Sequence, residues 1–148
     1  KLAVLGGELI VETLDQLDHD GIVFKVQDAT LVSKAPKIFP ENCQLDFNLD
    51  AEKLVNIVRG LSPAPCAYTF LNQKKLKIYF AEFEESESFI NQINGEIVFC
   101  DKNSFKIKTN NGLLIPKLLQ LEGKKQMSIK DFLNGTQIQI GTILGVNV

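Results

Sequence analysis

Residues 66–83 read CAYTFLNQKKLKIYFAEF, and within this stretch apolar and polar side chains alternate with a period of two. That period is typical of β-strands, whose successive side chains point to opposite faces of a sheet. The polar run 72–74 interrupts the alternation and predicts a turn between strands 66–71 and 75–83. The second strand is expected to have an inner and an outer face, with Leu76, Ile78 and Phe80 on the first and Lys75, Lys77 and Tyr79 on the second.

Two more hairpin turns are predicted downstream. Residues 95–100 and 104–109 flank the polar turn 101–103. In the later strand, Phe105 and Ile107 are expected to face the core. Lys106 and Lys108 are expected to face the solvent. The run Asn110-Asn111-Gly112 is a strong hairpin signal and leads into a strand over 113–121. Pro116 within that strand lacks an N–H and predicts an edge or bulged position.

Short helices are predicted on both sides of these strands. Asp50 suits an N-cap before an apolar stripe, and Gly60 is expected to end that helix after about nine residues. The segment 62–65 contains two prolines and excludes both helix and central strand. Ser128 and Asp131 resemble a capping box for a second short helix, which Gly135 closes.

Residues 1–48 show patterns different from those of the strands. Residues 2–17 show the apolar spacing of an amphipathic helix, whereas 21–48 have no clear periodicity and contain two prolines, which favours a linker. The predicted domains are therefore 1–20, 21–48 and 49–148. For the last of these, the short strands and turns predict a mainly β domain with short helices, built as a five-stranded OB-like barrel. The whole chain is thus predicted to consist of a helix, a long linker and this barrel.

Composition narrows the class of protein. The 148 residues carry 16 Lys and Arg against 18 Asp and Glu, and 45% of them are hydrophobic. No apolar run reaches the roughly 18 to 20 residues of a membrane helix, and the start lacks a signal peptide, which predicts a soluble, cytoplasmic protein. The chain begins in a helical pattern without Met, which indicates a piece of a longer polypeptide.

The residues that catalysis or metal binding would use are sparse. The three cysteines are too far apart for a zinc motif or a disulfide framework and are expected to be reduced thiols. His19 is expected in a solvated loop, as is the acidic run of Glu84, Glu85 and Glu87. No phosphate-binding or nucleophile motif is present in the sequence. We therefore predict no catalytic, cofactor or metal site in this chain.

Charge is segregated along the sequence, which favours a binding function. Residues 101–130 hold seven lysines and two acids, a local charge of +5, whereas 82–96 hold five acids and no base. The outward lysines of the predicted strands would form one basic face that neutralises phosphates, and Tyr79 lies in phase with them. The same lysines would also serve solubility and protect a sheet edge, so the pattern alone leaves both interpretations open.

Four segments resemble the C-terminal region of the methionyl-tRNA formyltransferase family. They are 59–70 (RGLSPAPCAYTF), 76–79 (LKIY), 119–128 (LQLEGKKQMS) and 131–135 (DFLNG). Gln27-Asp28 and the run 35–38 (APKI) resemble the linker of that family, and 2–17 resembles the last helix of its formyl-transfer domain. Cys66 stands where the family usually has Gly, and Lys34 where an aromatic residue is frequent.

The resemblance implies an OB-type barrel that helps to hold initiator Met-tRNA. A separate N-terminal catalytic domain would move a formyl group from 10-formyltetrahydrofolate to the methionine amine, so this chain alone would be inactive. Its implied partners are the initiator tRNA and that domain, with no membrane and no metal, in a full-length monomer. The lysines expected to contact tRNA are Lys74, Lys75, Lys77, Lys106, Lys108, Lys124 and Lys125, with Lys34 and Lys37 from the linker.

Two alternatives remain at this stage. Related formyltransferases act on nucleotide sugars or other small amines, where the same barrel would complete a small-molecule pocket. The chain could also be a non-catalytic module that docks a protein partner through a barrel edge or its first helix.

Overall fold

The computed structural model describes residues 2–19 and 24–145 of the chain. They fall into two compact units, Lys1–Pro36 and Lys37–Val148. The division after Pro36 lies inside the predicted linker 21–48, so the second part of that segment belongs to the larger unit. Residues 20 and 21, where the predicted helix end and linker start meet, lie outside the described residues.

The first unit contains the predicted N-terminal helix. This helix, α1 (Leu2–Asp18), has no buried side chain. After an extended stretch, Ala29–Leu31 form one 3₁₀ turn, for which the Asp28 carboxylate accepts a hydrogen bond from the Thr30 backbone N–H at 2.8 Å. None of the helices in the described ranges is long and apolar enough to cross a membrane.

The second unit begins with a 3₁₀ turn over Pro40–Cys43 and continues into α2 (Ala51–Leu61). Its buried residues recur every three or four positions and give the helix one core face: Ala51, Leu54, Val58 and Leu61. Gly60 does not end the helix as predicted, since the burial of Leu61 favours one more helical residue and Ser62 is the C-cap. Asp50 lies at the N-cap, but its carboxylate accepts from the Asn110 side chain at 2.9 Å.

In the residues that the structure describes, six antiparallel strands and one short helix follow α2. They are β1 (Ala67–Leu71), β2 (Lys74–Glu84), β3 (Ile97–Cys100), β4 (Phe105–Lys108), β5 (Leu113–Leu121), β6 (Met127–Ser128) and α3 (Ile129–Asn134). The sheet order is β1-β2-β5-β4-β3, with β6 also paired to β5. The hairpins are confirmed, and Ser128 caps α3 as predicted, accepting from the Asp131 N–H at 3.2 Å.

The sheet is not closed into a barrel, so the predicted five-stranded barrel is wrong in this respect and the chain is a mixed α/β protein. The edge strands β1 and β3 do not pair with each other. Instead, a C-terminal strap, residues 141–145, bonds to both: the Ile97 N–H of β3 donates to the Thr142 carbonyl at 2.8 Å, and the Gly145 N–H donates to the Phe70 carbonyl of β1 at 3.0 Å. Irregular chain thus satisfies backbone groups that strand pairing would satisfy in a barrel.

A bulge divides β2 into two halves. The β2–β5 register shifts on both sides of Phe80, which reverses the faces of the strand from that point. Phe80 is consequently 54% exposed and Ala81 is 2% exposed, so the prediction that Phe80 faces the core is wrong. Pro116 lies opposite Ala81, next to the register shift and at a point where β5 lacks a partner between the ends of β4 and β6. The predicted edge or bulged position is therefore confirmed.

The core lies between α2, α3 and the inner face of the sheet. Cys43, Leu45 and Phe47 are buried in it, although the sequence assigns them to the predicted linker. All three cysteines are free thiols. Cys66 has a φ of 74°, a left-handed conformation that favours glycine, in agreement with the residue usual at this position in the resembling family.

Candidate nucleic-acid interface

The β1–β2 hairpin builds an outer face of aromatic and basic side chains. Asn72 and Gln73 both have positive φ, which gives a two-residue turn that fixes the strand register. Tyr68 pairs with Lys77 and Phe70 with Lys75, while the residues between them are buried. We call this surface the aromatic–lysine face; its members are Tyr68, Phe70, Lys75, Lys77, Tyr79 and Gln120.

One lysine of this face lies over an aromatic ring. The Nζ of Lys75 lies 4.4 Å from the centroid of the Tyr68 ring, which is a cation–π distance. Tyr68 itself contacts Phe70 edge to face, with centroids 5.7 Å apart and planes at 86°. The Lys75 ammonium is therefore held close to the sheet, and less side-chain freedom is lost when it binds an anion.

Gln120 is fixed from both sides. Its Oε1 accepts from the Tyr79 hydroxyl at 2.8 Å, and its Nε2 donates to the Lys124 carbonyl at 2.8 Å. Gln120 also pairs with Lys77 across the strands, and a cleft of about 220 Å³ lies between these residues, Lys75 and Glu122. The Glu122 carboxylate accepts from the Lys75 backbone N–H at 3.1 Å, and it forms no ion pair with the Lys75 ammonium in the part of the chain that the structure describes.

Five lysines lie at the end of the sheet that carries the β1–β2 and β5–β6 turns, with Glu122 beside them: Lys74, Lys75, Lys77, Lys124 and Lys125. Across the described residues, ion pairs occur only at Lys106 with Glu84 and at Lys117 with Glu82. The five ammonium groups are thus unpaired and give the hairpin end of the sheet a positive field that attracts polyanions.

Lys106 does not join this group. Its Nζ lies 2.6 Å from the Glu84 carboxylate and 5.3 Å from the Phe99 ring centroid. β4 is separated from β2 by β5, and Glu84 is nine positions from Lys75, roughly 30 Å of extended strand. The prediction that the lysines of these strands share one basic face is therefore wrong.

Lys108 is only 8% exposed, so its predicted outward direction is wrong. Its ammonium donates to the Thr109 carbonyl and, at 3.4 Å, to the Asn110 carbonyl. The Thr109 hydroxyl is also within 2.9 Å of the Asn111 and Gly112 carbonyls. Lys108 therefore holds the β4–β5 turn together from inside.

We expect Lys108→Met to lower the free energy of unfolding by about 1–2 kcal/mol and to leave RNA affinity unchanged, because it removes hydrogen bonds to the turn and no surface charge. Urea unfolding and a binding titration measure the two effects. Lys102→Met, on the exposed β3–β4 turn, is the control and should change stability by less than about 0.5 kcal/mol. Weaker RNA binding with unchanged stability would instead place Lys108 at the interface.

The two linker candidates lie in different units. Lys34 is exposed in the first unit, and Lys37 begins the second, with its Nζ 5.5 Å from the Phe39 ring centroid.

Sequence reasoning missed Tyr68, Phe70 and Gln120. The first two alternate with buried residues in β1, so the two-residue turn would have placed them beside Lys77 and Lys75. Gln120 has no such local signal, since β2 and β5 meet through a pairing about 40 residues apart in sequence.

The described residues offer little for catalysis. His19 is exposed, with its Nδ1 2.7 Å from the Asp15 carbonyl. Burial raises the pKa of the Cys66 and Cys100 thiols, so both stay protonated and weakly nucleophilic at neutral pH. Within the described ranges no group of His, Cys, Asp or Glu side chains is arranged to hold a metal ion.

One family model and several curated proteins match this chain. The family model described as formyl transferase, C-terminal domain, matches residues 37–137. Methionyl-tRNA formyltransferases are among the similar curated proteins. The one from Citrifermentans bemidjiense is 37% identical over 98% of this chain and 44% of its own length, and the one from Dictyoglomus turgidum is 43% identical over 95% and 45%. The chain thus spans somewhat less than half the length of these relatives.

A solved structure shares the fold. A variant of HypX from Aquifex aeolicus superposes with a TM-score of 0.59 over 89% of this chain and 24% of that one. The two sequences are 19% identical, so this likeness concerns the fold alone.

Proposed function

The chain belongs to the formyl transferase C-terminal domain family, and from that membership we propose that it is the RNA-holding part of a methionyl-tRNA formyltransferase. The whole enzyme would transfer a formyl group from 10-formyltetrahydrofolate to the amine of initiator Met-tRNA in the cytoplasm. We assign the chemistry to the part of the relatives that this chain does not span, so the chain alone is inactive. α1 would belong to that catalytic domain, followed by a linker.

The observation that supports this proposal is the aromatic–lysine face with its unpaired ammonium groups. Lysines that contact backbone phosphates give affinity and orientation without reading the base sequence. The lysines that we assign to this contact are Lys74, Lys75, Lys77, Lys124 and Lys125. The hairpin end would then position the tRNA body, and the catalytic domain would choose the tRNA and act on its acceptor end.

Binding across salt tests this function. The chain is titrated with initiator and elongator Met-tRNA between about 50 and 200 mM salt. With about four phosphates neutralised, affinity should fall about 100-fold over that range, and equally for both tRNAs. Absence of binding at the lowest salt would contradict the proposal.

The same titration separates the alternatives. Binding of a nucleotide sugar that is nearly insensitive to salt, with no tRNA binding, would indicate a small-molecule formyltransferase. Failure to bind either ligand would leave a protein-docking module as the remaining function.

A further inference from the structure

The second half of β2 has an open edge. β1 pairs with β2 only as far as Ile78, whereas β2 continues to Glu84 along β5. Within the described residues, the backbone of 80–84 forms hydrogen bonds to β5 and to no other segment. Five residues of β2 thus form an edge strand, which is a template for another extended chain.

The sheet geometry shows which backbone groups of this edge point away from β5. The Glu84 carbonyl oxygen would lie 2.8 Å from a Cβ on Gly112, so it points toward the β5 side. Because successive residues alternate in direction along a strand, Phe83 and Ala81 direct their N–H and C=O groups away from β5. Pro116, which lacks an N–H, lies opposite Ala81, as expected for a pair that exchanges no hydrogen bonds.

An apolar cleft of about 380 Å³ adjoins the open edge. α2 contributes Val55, Val58 and Arg59, and β2 contributes Phe80 and Phe83. Phe80 is 54% and Phe83 42% exposed, which is unusual for two aromatic residues this close in sequence. A chain that pairs with the edge would place alternate side chains toward this cleft.

We propose that this edge and cleft dock an extended segment of a partner protein in which apolar and basic residues alternate. The basic residues follow from the charge next to the edge. Glu82 and Glu84 are already paired with Lys117 and Lys106, and Arg59 is the base of the cleft lining. Three further acids are exposed and form no ion pair within the described residues, so the acids exceed the bases there: Glu52 on α2, and Glu85 and Glu87 directly after β2. A second copy of this chain fits less well, since two β2 edges would bring together two acidic runs.

The test uses a blocked peptide of three Val-Lys repeats and the full 148-residue chain. Amide resonances of Ala81 and Phe83 should shift on titration, and saturation should follow one site. A peptide with Glu in place of Lys should bind at least 10-fold more weakly, and so should one with alternate N-methylated residues. Equal affinity for all three peptides would overturn the proposal. Self-association of the chain through this edge would also overturn it, if the Val-Lys peptide does not reverse that self-association.

Two substitutions separate the backbone edge from the aromatic contact. Phe83→Val removes the ring but keeps the outward N–H, and it should weaken the peptide about threefold. Phe83→Pro also removes that donor while leaving the β5 ladder intact, and it should weaken the peptide by a further factor of at least 10. Equal affinities of the two variants for the peptide would exclude strand addition. Tests with tRNA are independent of this result, because the edge lies outside the aromatic–lysine face.

Discussion

Charge reversal of Lys75 and Lys77 is expected to lower tRNA affinity about 100-fold at about 100 mM salt. Each phosphate contact contributes a salt dependence of about 0.7–0.9 in log K per log salt, which corresponds to roughly 5- to 8-fold in affinity at this salt. Two lost contacts therefore account for about 25- to 60-fold, and repulsion by the new carboxylates adds the rest. The logarithmic salt slope should also become about 1.4–1.8 less steep.

The control is a variant with the same change in net charge elsewhere. Lys53 lies on the exposed side of α2 and Lys102 on the β3–β4 turn, both apart from the aromatic–lysine face. The double variant Lys53→Glu and Lys102→Glu should lose less than about fivefold in affinity, since only the long-range field changes. Equal losses in the two double variants would show that net charge, and not this face, holds the tRNA.

Replacing Gly112 by Ala is expected to lower the free energy of unfolding by about 3 kcal/mol. Gly112 has a φ of 81°, and a Cβ there would lie 2.8 Å from the Glu84 carbonyl oxygen and 3.4 Å from the Ala51 Cβ. A left-handed Ala costs about 1 kcal/mol, and the backbone clash adds an overpacking cost of about 2 kcal/mol. Equilibrium urea unfolding measures the total.

Gly123→Ala separates the two contributions. Gly123 has a φ of 78°, but a Cβ at this residue would have no atom within 4 Å, so its substitution should cost only about 1 kcal/mol. A Gly112→Ala variant no less stable than Gly123→Ala would show that β2 moves away from the turn at little cost.

Local patterns predicted the elements whose partners are close in sequence. The period of two and the polar turn predicted β1 and β2, and Ser128 with Asp131 predicted α3. The faces of β2 were predicted correctly only up to the bulge, because a bulge is set by how β5 pairs with β2 and leaves no mark in the alternation of a single strand.

The candidate site was predicted in part for the same reason. The hairpin lysines were identified from one strand and its turn. The acidic partner of Lys106 lies on a strand distant in sequence, and Lys108 turns back onto the carbonyls of its own β4–β5 turn. The alternating pattern shows neither contact, so it treated both lysines as solvent-facing. Whether the remaining lysines bind phosphate stays a prediction.

The C-terminal strap has a consequence for the timing of folding during synthesis. Its bonds to Ile97 and Phe70 join residues that are made well before it, since Phe70 precedes Gly145 by 75 residues. Until residues 141–145 leave the ribosome, both outer strands of the nascent sheet expose unpaired backbone groups. The growing chain is thus most open to aggregation, and most in need of a chaperone, in the last moments before this segment emerges.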